Sequence, residues 1–217
     1  MTDPAPPPVV LTKGQSGRIS LAKDAPDTEI TCTLTWRGRE RGGSDLDLFA
    51  MYVPADEVSA EPGPTTAAVD FRHPGALDAA PFLRHSGDST AAGTESVVLR
   101  NPAAHGYVLL CVYSAVSNGA GSLHSYRAEI TVTDHAGQSV TCALANDSAH
   151  SYWCAFALID LTDPRGVRIR NVESYSKRGG ERSPLLYADG TFAMDKGPLR
   201  FKGVLGWLTR NSKPLTT

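Results

Sequence analysis

Two acidic segments carry the residue types best suited to binding a cation. In the first segment, Ser44–Leu48, the acids Asp45 and Asp47 are separated by one residue. On a strand, both carboxylates would point to the same face and repel one another. A divalent cation would offset that repulsion, and so would an arginine, so spacing alone leaves a metal site and a salt-bridged strand start both open. The arginines just upstream are Arg37, Arg39 and Arg41.

The second segment, His85–Ser96, places oxygen donors and glycines in a loop directly before a strand. Asp88 and Glu95 offer carboxylates, and the loop adds hydroxyls and backbone carbonyls. Calcium takes six to eight oxygen ligands in flexible geometry, which such a loop can supply. The spacing of Asp88 and Glu95 is not that of an EF-hand loop. Two interpretations of the segment are open, a calcium-binding loop of another kind and an ordinary polar turn.

The sequence contains no recognisable catalytic motif. Thr90 follows Gly87-Asp88-Ser89, where the serine-protease motif has glycine, and there is no G-x-S-x-G. Dinucleotide-binding and P-loop motifs are also missing. The six histidines show no H-E-x-x-H spacing, so we expect turn and surface residues and no zinc ligands. A non-enzymatic protein is predicted. The histidines are His73, His85, His105, His124, His135 and His150.

Composition and charge exclude several classes of protein. The chain has 217 residues, 41% of them hydrophobic, with a net charge of −2. Disordered chains have little apolar content, and nucleic-acid binders usually carry a basic excess, so both classes are disfavoured. No apolar run is long enough to cross a membrane, and Met1-Thr2-Asp3-Pro4 does not begin a signal peptide. We expect a cytoplasmic protein with four buried, reduced cysteines, which are Cys32, Cys111, Cys142 and Cys154.

The elements that must position the acids are short strands. Alternation of apolar and polar residues predicts half-buried strands, and short apolar runs predict strands covered on both faces. The residues of Asp134–Gly137 predict a turn with a left-handed glycine. Those of Asn101–Ala104 predict a single helical turn that Asn101 caps. An antiparallel sandwich or barrel with little helix follows. The predicted strands are Glu29–Trp36, Leu46–Val53, Ser96–Leu99, Tyr107–Tyr113, Tyr126–Thr133, Ser139–Leu144, Tyr152–Ile159 and Val167–Val172.

The remaining segments predict one domain with two tails. Residues 1–10 are proline-rich, which predicts a disordered tail. We expect residues 11–202 to form the domain and residues 203–217 to form a C-terminal tail. Residues 54–80 and 174–198 read as long connections, which tend to be functional or mobile in compact domains.

The motifs occur in an order that resembles the TerD family of bacterial tellurium-resistance and stress-response proteins. That family has an L-x-K-G-Q opening, an L-x-W strand, a D-L-D segment and a G-D-N loop ending in glutamate before a strand. The matching segments here are Leu11–Gln15, Leu34–Trp36, Asp45–Phe49, Gly87–Ser89 and Glu95–Leu99. The resemblance covers about residues 11–160 and implies a β-sandwich of two sheets whose loops bind calcium.

The resemblance also implies a ligand set. The family's D-L-D acids match Asp45 and Asp47, its G-D acid matches Asp88, its loop asparagine is Ser89 here, and its terminal glutamate matches Glu95. The loop is shorter than in the family, and residues 91–94 replace the family's acidic run. Fewer anionic ligands predict weaker calcium affinity, and leave open the loss of one or both of the family's two sites.

Two functional interpretations follow. The first is a calcium-binding adaptor or scaffold of the stress and tellurite-resistance type, which binds partner proteins and reaches a membrane only peripherally, through a partner. The second is a metal-free structural or assembly module that contacts partners through the sandwich and its tails. A hydrolase acting on a small substrate is a third class, for which the sequence supplies no nucleophile and base.

Overall fold

The chain folds into many short strands. A computed structural model describes residues 9–199 except 22, 24, 39–43, 116–117, 119–122, 146–149 and 165. Helical segments in this part of the chain are short 3₁₀ turns. The strands are β1 (Val9–Leu11), β2 (Ser16–Ile19), β3 (Glu29–Thr35), β4 (Leu46–Pro54), β5 (Pro64–Thr65), β6 (Ala68–Val69), β7 (Gly75–Ala76), β8 (Leu83–His85), β9 (Thr94–Arg100), β10 (His105–Ser114), β11 (Glu129–Asp134), β12 (Ser139–Ala143), β13 (Trp153–Asp160), β14 (Val167–Tyr175), β15 (Leu185–Tyr187) and β16 (Phe192–Ala193).

Two large sheets form the sandwich. The first sheet has seven strands in the order β1-β12-β11-β3-β9-β8-β7, and the second has six in the order β2-β14-β13-β10-β4-β6. Paired strands run antiparallel except β1, which lies parallel to β12 with Val9 opposite Val140. One hydrophobic core draws buried residues from both sheets. The prediction of an all-β, mainly antiparallel sandwich with little helix is confirmed.

The alternating pattern explains why β3 faces the core on one side only. Ile30, Cys32 and Leu34 are wholly buried, and the threonines between them are partly exposed. Successive side chains of a strand point to opposite faces, so this pattern fixes which face of β3 packs inward. The prediction of a half-buried strand from residue 29 is confirmed, although Trp36 lies just beyond the strand end.

Strands β4, β10 and β13 are buried on both faces, as their apolar sequences predict. A third sheet, in the order β16-β15-β5, lies over the outer face of the second sheet and covers a second hydrophobic cluster. In that cluster the ring of Trp153 packs 4.8 Å from Phe49 and 4.9 Å from Tyr113, between ring centroids. The third sheet is therefore what makes the two-sided burial of β4 and β10 favourable.

This cover corrects the interpretation of the two long connections. Residues 54–80 and 174–198 contain short strands, and Leu186 in β15 pairs with Thr65 in β5. Strands of two or three residues carry too little alternation to be recognised in a sequence. The connections thus pair with one another over the second sheet.

One local prediction places a strand start too early, and another holds only in part. Strand β11 begins at Glu129, because Tyr126 belongs to a 3₁₀ turn and Arg127 has a positive φ of 49°. Asn101 does precede a 3₁₀ turn that begins at Pro102, but its φ is +52° and its side chain makes no capping hydrogen bond. An N-cap residue needs an extended backbone for its side chain to reach the first turn, which explains the difference.

The predicted turn and the predicted buried thiols are confirmed. Gly137 closes the Asp134–Gly137 turn with a φ of +82°. All four cysteines are buried, and none forms a disulfide within the described residues. Burial raises the pKa of the Cys142 thiol to about 12, so that thiol stays protonated at neutral pH.

Both predicted tails fall largely outside the described residues, as do Arg39 and Arg41. Within the part of the chain that the structure describes, no helix is long and apolar enough to cross a membrane.

Candidate metal centre

Three predicted acids meet at one end of the sandwich. Asp45 lies just before β4, Asp47 lies within β4, and Asp88 lies in the loop between β8 and β9. One carboxylate oxygen from each residue lies within 4.8 Å of the other two. The spacing of Asp45 and Asp47 on one side of the chain brings their oxygens together, and the loop adds the third. This is the separation that ligands of one cation have.

The three acids differ in exposure. Asp47 is wholly buried, Asp45 is half-buried and Asp88 is exposed. A buried carboxylate beside two others is unfavourable, since desolvation and like-charge repulsion act together. A cation between the three oxygens offsets both effects. The exposure of Asp88 leaves a path from solvent to that position.

Asn118, a residue that the sequence did not single out, holds the backbone of Asp45. Its side-chain oxygen accepts the Asp45 N–H at 3.2 Å, and its amide group donates to the Asp45 carbonyl. The same amide group donates to the Ser114 hydroxyl at 3.1 Å. Asn118 is 1% exposed, so these bonds lie away from water. The contact spans 73 residues, and no local pattern in the sequence reveals it.

Trp36 joins both acidic segments. Its indole N–H donates to the Ser44 carbonyl at 2.6 Å, and its backbone N–H donates to the Gly93 carbonyl at 3.1 Å. The ring is buried, so it fixes the start of β4 relative to the end of the loop. This explains structurally why a tryptophan follows β3 at this point.

Glu95, a predicted ligand, lies outside the cluster of three acids. Its two carboxylate oxygens accept backbone N–H groups from Leu48 at 2.7 Å and from Ser89 at 2.9 Å. The residue is wholly buried in β9 and fastens the loop to β4. The structure thus places Glu95 where it joins the loop that carries Asp88 to the strand that carries Asp47.

Ser89, the other predicted ligand from the loop, is also held by this arrangement. Its backbone N–H binds Glu95, and its hydroxyl lies 3.4 Å from the Ala91 carbonyl, to which it donates. Gly87, two residues before it, has a φ of +108°, a conformation that glycine adopts readily and that turns the chain toward Asp88.

His85 corrects the expectation that the histidines are turn and surface residues. It is buried, as is His105. The His85 Nδ1 accepts the Gly87 N–H at 2.9 Å, and the Nε2 lies 3.1 Å from the Leu48 carbonyl. These partners require a neutral ring protonated on Nε2. His85 and Glu95 therefore bind the C=O and N–H of the same β4 residue.

His105 is the first residue of β10. Burial lowers its pKa, and hydrogen bonds to the backbone of Arg100 and Phe82 oppose that shift only in part. Its Nε2 lies 3.1 Å from the Arg100 carbonyl. The backbone therefore holds both buried histidine rings.

The chain was compared with protein families, curated proteins and solved structures. No protein-family model and no curated protein matches this chain. A similar solved structure is that of a homologue of the telluride resistance protein TerD from Streptomyces coelicolor A3(2), with 16% identity, a TM-score of 0.48, and coverage of 68% of this chain and 89% of that one. A second, of a protein of unknown function, has 14% identity, a TM-score of 0.49, and coverage of 83% and 98%.

Proposed function

We propose that this protein is a non-enzymatic, calcium-binding β-sandwich that acts in the cytoplasm as an adaptor or scaffold in a TerD-type stress or tellurite-resistance response. The observation that carries the proposal is the cluster of three carboxylate oxygens within 4.8 Å of one another. The motif order around these acids supports the family assignment. The tellurium part of the proposal comes from that resemblance alone.

The chemistry of the ligands favours calcium. Calcium takes six to eight oxygens in flexible geometry, whereas magnesium requires near-octahedral geometry and gives up its waters reluctantly. Asp45, Asp47 and Asp88 supply three carboxylates from a strand and a loop, and loop carbonyls and water would complete the shell. Residues 91–94 stand where the TerD family has a run of acids, so we expect weak affinity for calcium.

The proposed role is to present a surface to partner proteins. Calcium bound by Asp88 would order the loop between β8 and β9 relative to β4, and an ordered loop binds a partner at a lower entropic cost.

Isothermal titration calorimetry of the EDTA-treated protein with CaCl₂ and MgCl₂ tests the proposal. We expect binding of calcium in preference to magnesium, and we expect Asp88→Asn to weaken calcium at least about tenfold, since it removes one anionic ligand. Asp88 is exposed, so this variant preserves the fold. Asp78→Asn, an equally exposed change of the same charge, is the matched control.

A metal-free assembly module is the second candidate, and one observation favours it. Glu95, His85 and Asn118 hold the loop and β4 in place through hydrogen bonds that require no ion. In that case calcium produces no heat of binding. Equal weakening by Asp78→Asn would likewise contradict the calcium site, because it would mean that only net charge matters.

A further inference from the structure

A groove on the outer face of the second sheet lies apart from the three acids. It opens where the third sheet stops covering β13 and β14, and its volume is about 390 Å³. Tyr107 lines it near the start of β10, whereas Asp47 is paired with Tyr113 near the other end of that strand. Six residues of strand separate the two positions, roughly 20 Å.

Two arginines from β14 form one wall of the groove. Arg168 and Arg170 are both exposed and alternate with buried residues, so they project from the same face roughly 7 Å apart. Among the residues that the structure describes, neither guanidinium makes a hydrogen bond or an ion pair. Two free guanidinium groups on one face make a site for an anion with several oxygens.

The neighbouring strand adds a like charge. Arg18 in β2 lies directly across from Arg168 in the ladder, and like charges in that position destabilise a sheet. Arg18 itself is paired with Asp163 at 2.7 Å. Arg168 therefore lies in the ladder between a cationic neighbour, Arg18, and an acidic one, Asp160 of β13.

The opposite wall comes from the hairpin that joins β15 to β16. The ring of Phe192 lines the groove with that of Tyr107, and Gly190 lies against the Tyr107 ring. The groove thus has an aromatic side, and Asp160 lies in the ladder between Tyr107 and Arg168.

The groove also contains two acids, each held by its own turn. One Asp160 oxygen accepts both the N–H and the hydroxyl of Thr162, and one Asp189 oxygen does the same with Thr191. The Thr191 hydroxyl and N–H lower the pKa of Asp189, so it is charged at neutral pH. These acids limit the affinity of the groove for an anion. Removing the charge of Asp189 therefore tests whether the ligand that binds there is an anion.

We propose that this groove binds a small organic phosphate, with the phosphoryl group on Arg168 and Arg170 and a flat apolar group against Tyr107 and Phe192. Guanidinium groups match phosphate geometry through paired N–H donors. The aromatic side favours a ligand with a ring over phosphate alone. This inference is independent of the calcium site.

Phenyl phosphate is the probe, titrated into the full chain in EDTA so that the acidic cluster holds no metal, with binding followed by NMR chemical shifts. We expect saturable binding at about millimolar concentration, tighter than that of inorganic phosphate or phenol. Arg168→Ala and Arg170→Ala should each weaken it at least about tenfold, and Arg170→Lys should weaken it as well, because lysine lacks the paired donors.

Two further variants supply the controls. Arg84→Ala removes an exposed strand arginine from the other sheet and should leave binding unchanged. Asp189→Asn keeps the oxygen that holds Thr191 but removes a negative charge, so it should tighten binding. Absence of saturation at about 10 mM overturns the proposal. Equal weakening by Arg84→Ala overturns it too, and so does weaker binding in a folded Asp189→Asn.

Discussion

The side chain of Glu95 replaces a neighbouring strand for part of β4. Its carboxylate accepts the Leu48 N–H, and His85 binds the Leu48 carbonyl, at a position where β4 has β10 on one side only. We predict that Glu95→Gln lowers the free energy of unfolding by about 1–3 kcal/mol, because an amide nitrogen replaces one of the two buried acceptors. Urea unfolding in EDTA measures this loss.

The same variant separates two roles for Glu95. If the residue only orients the three acids, the loss of stability is present without calcium and calcium affinity changes little. If calcium affinity falls about tenfold or more while stability in EDTA is unchanged, Glu95 is a direct ligand and the positioning role is wrong.

His105 predicts a dependence of stability on pH. Burial lowers its pKa below the ordinary value of 6.5, so the unfolded chain binds a proton that the folded protein rejects. The free energy of unfolding should therefore fall as the pH drops below about 6.5, by at most about 1.4 kcal/mol per pH unit from this group. Urea unfolding of the wild type and His105→Gln between pH 7.5 and 5.5 checks it, and an equal slope in both proteins contradicts it.

At the scale of elements, the β15–β16 hairpin depends on a close approach of its turn to β10. Gly190 has a φ of +79°, and a Cβ there would lie 2.5 Å from the Tyr107 ring. We predict that Gly190→Ala destabilises the protein by about 2–4 kcal/mol, from left-handed strain plus overpacking. Chemical denaturation provides the measurement.

Gly179→Ala is the matched control for this prediction. Gly179 also has a positive φ, +68°, but a Cβ there would meet nothing within 4 Å. Its substitution should cost only the backbone strain, about 1–2 kcal/mol. If both variants are destabilised equally, the contact between the hairpin and Tyr107 does not hold the third sheet in place.

The long strands were predictable from sequence and the third sheet was not. Strands β3, β4, β10 and β13 carry alternating or continuous apolar patterns over seven to ten residues, which suffices to identify them. Strands β5, β15 and β16 have two or three residues each and form only because the outer face of the second sheet needs a cover. Tertiary packing determines such strands.

At the scale of the whole molecule, the acids of the site were predictable and their support was not. Asp45, Asp47 and Asp88 were identifiable because ligand type and spacing are properties of the sequence. The bonds from Asn118 to Asp45 and from Glu95 to Leu48 join residues 73 and 47 positions apart. Such contacts depend on how the two sheets pack, so residue type alone does not reveal that Glu95 joins the loop to β4.

The central claim is that the cluster of Asp45, Asp47 and Asp88 holds calcium, and thermal unfolding in calcium or in EDTA tests it most directly. A ligand that binds only the folded state stabilises it by about 2.7 kcal/mol at a hundredfold excess over its Kd. For a chain of this size that raises the Tm by about 2–4 °C per kcal/mol. We predict a calcium-dependent rise that Asp88→Asn abolishes and Asp78→Asn retains. An unchanged Tm at saturating millimolar calcium would contradict the claim.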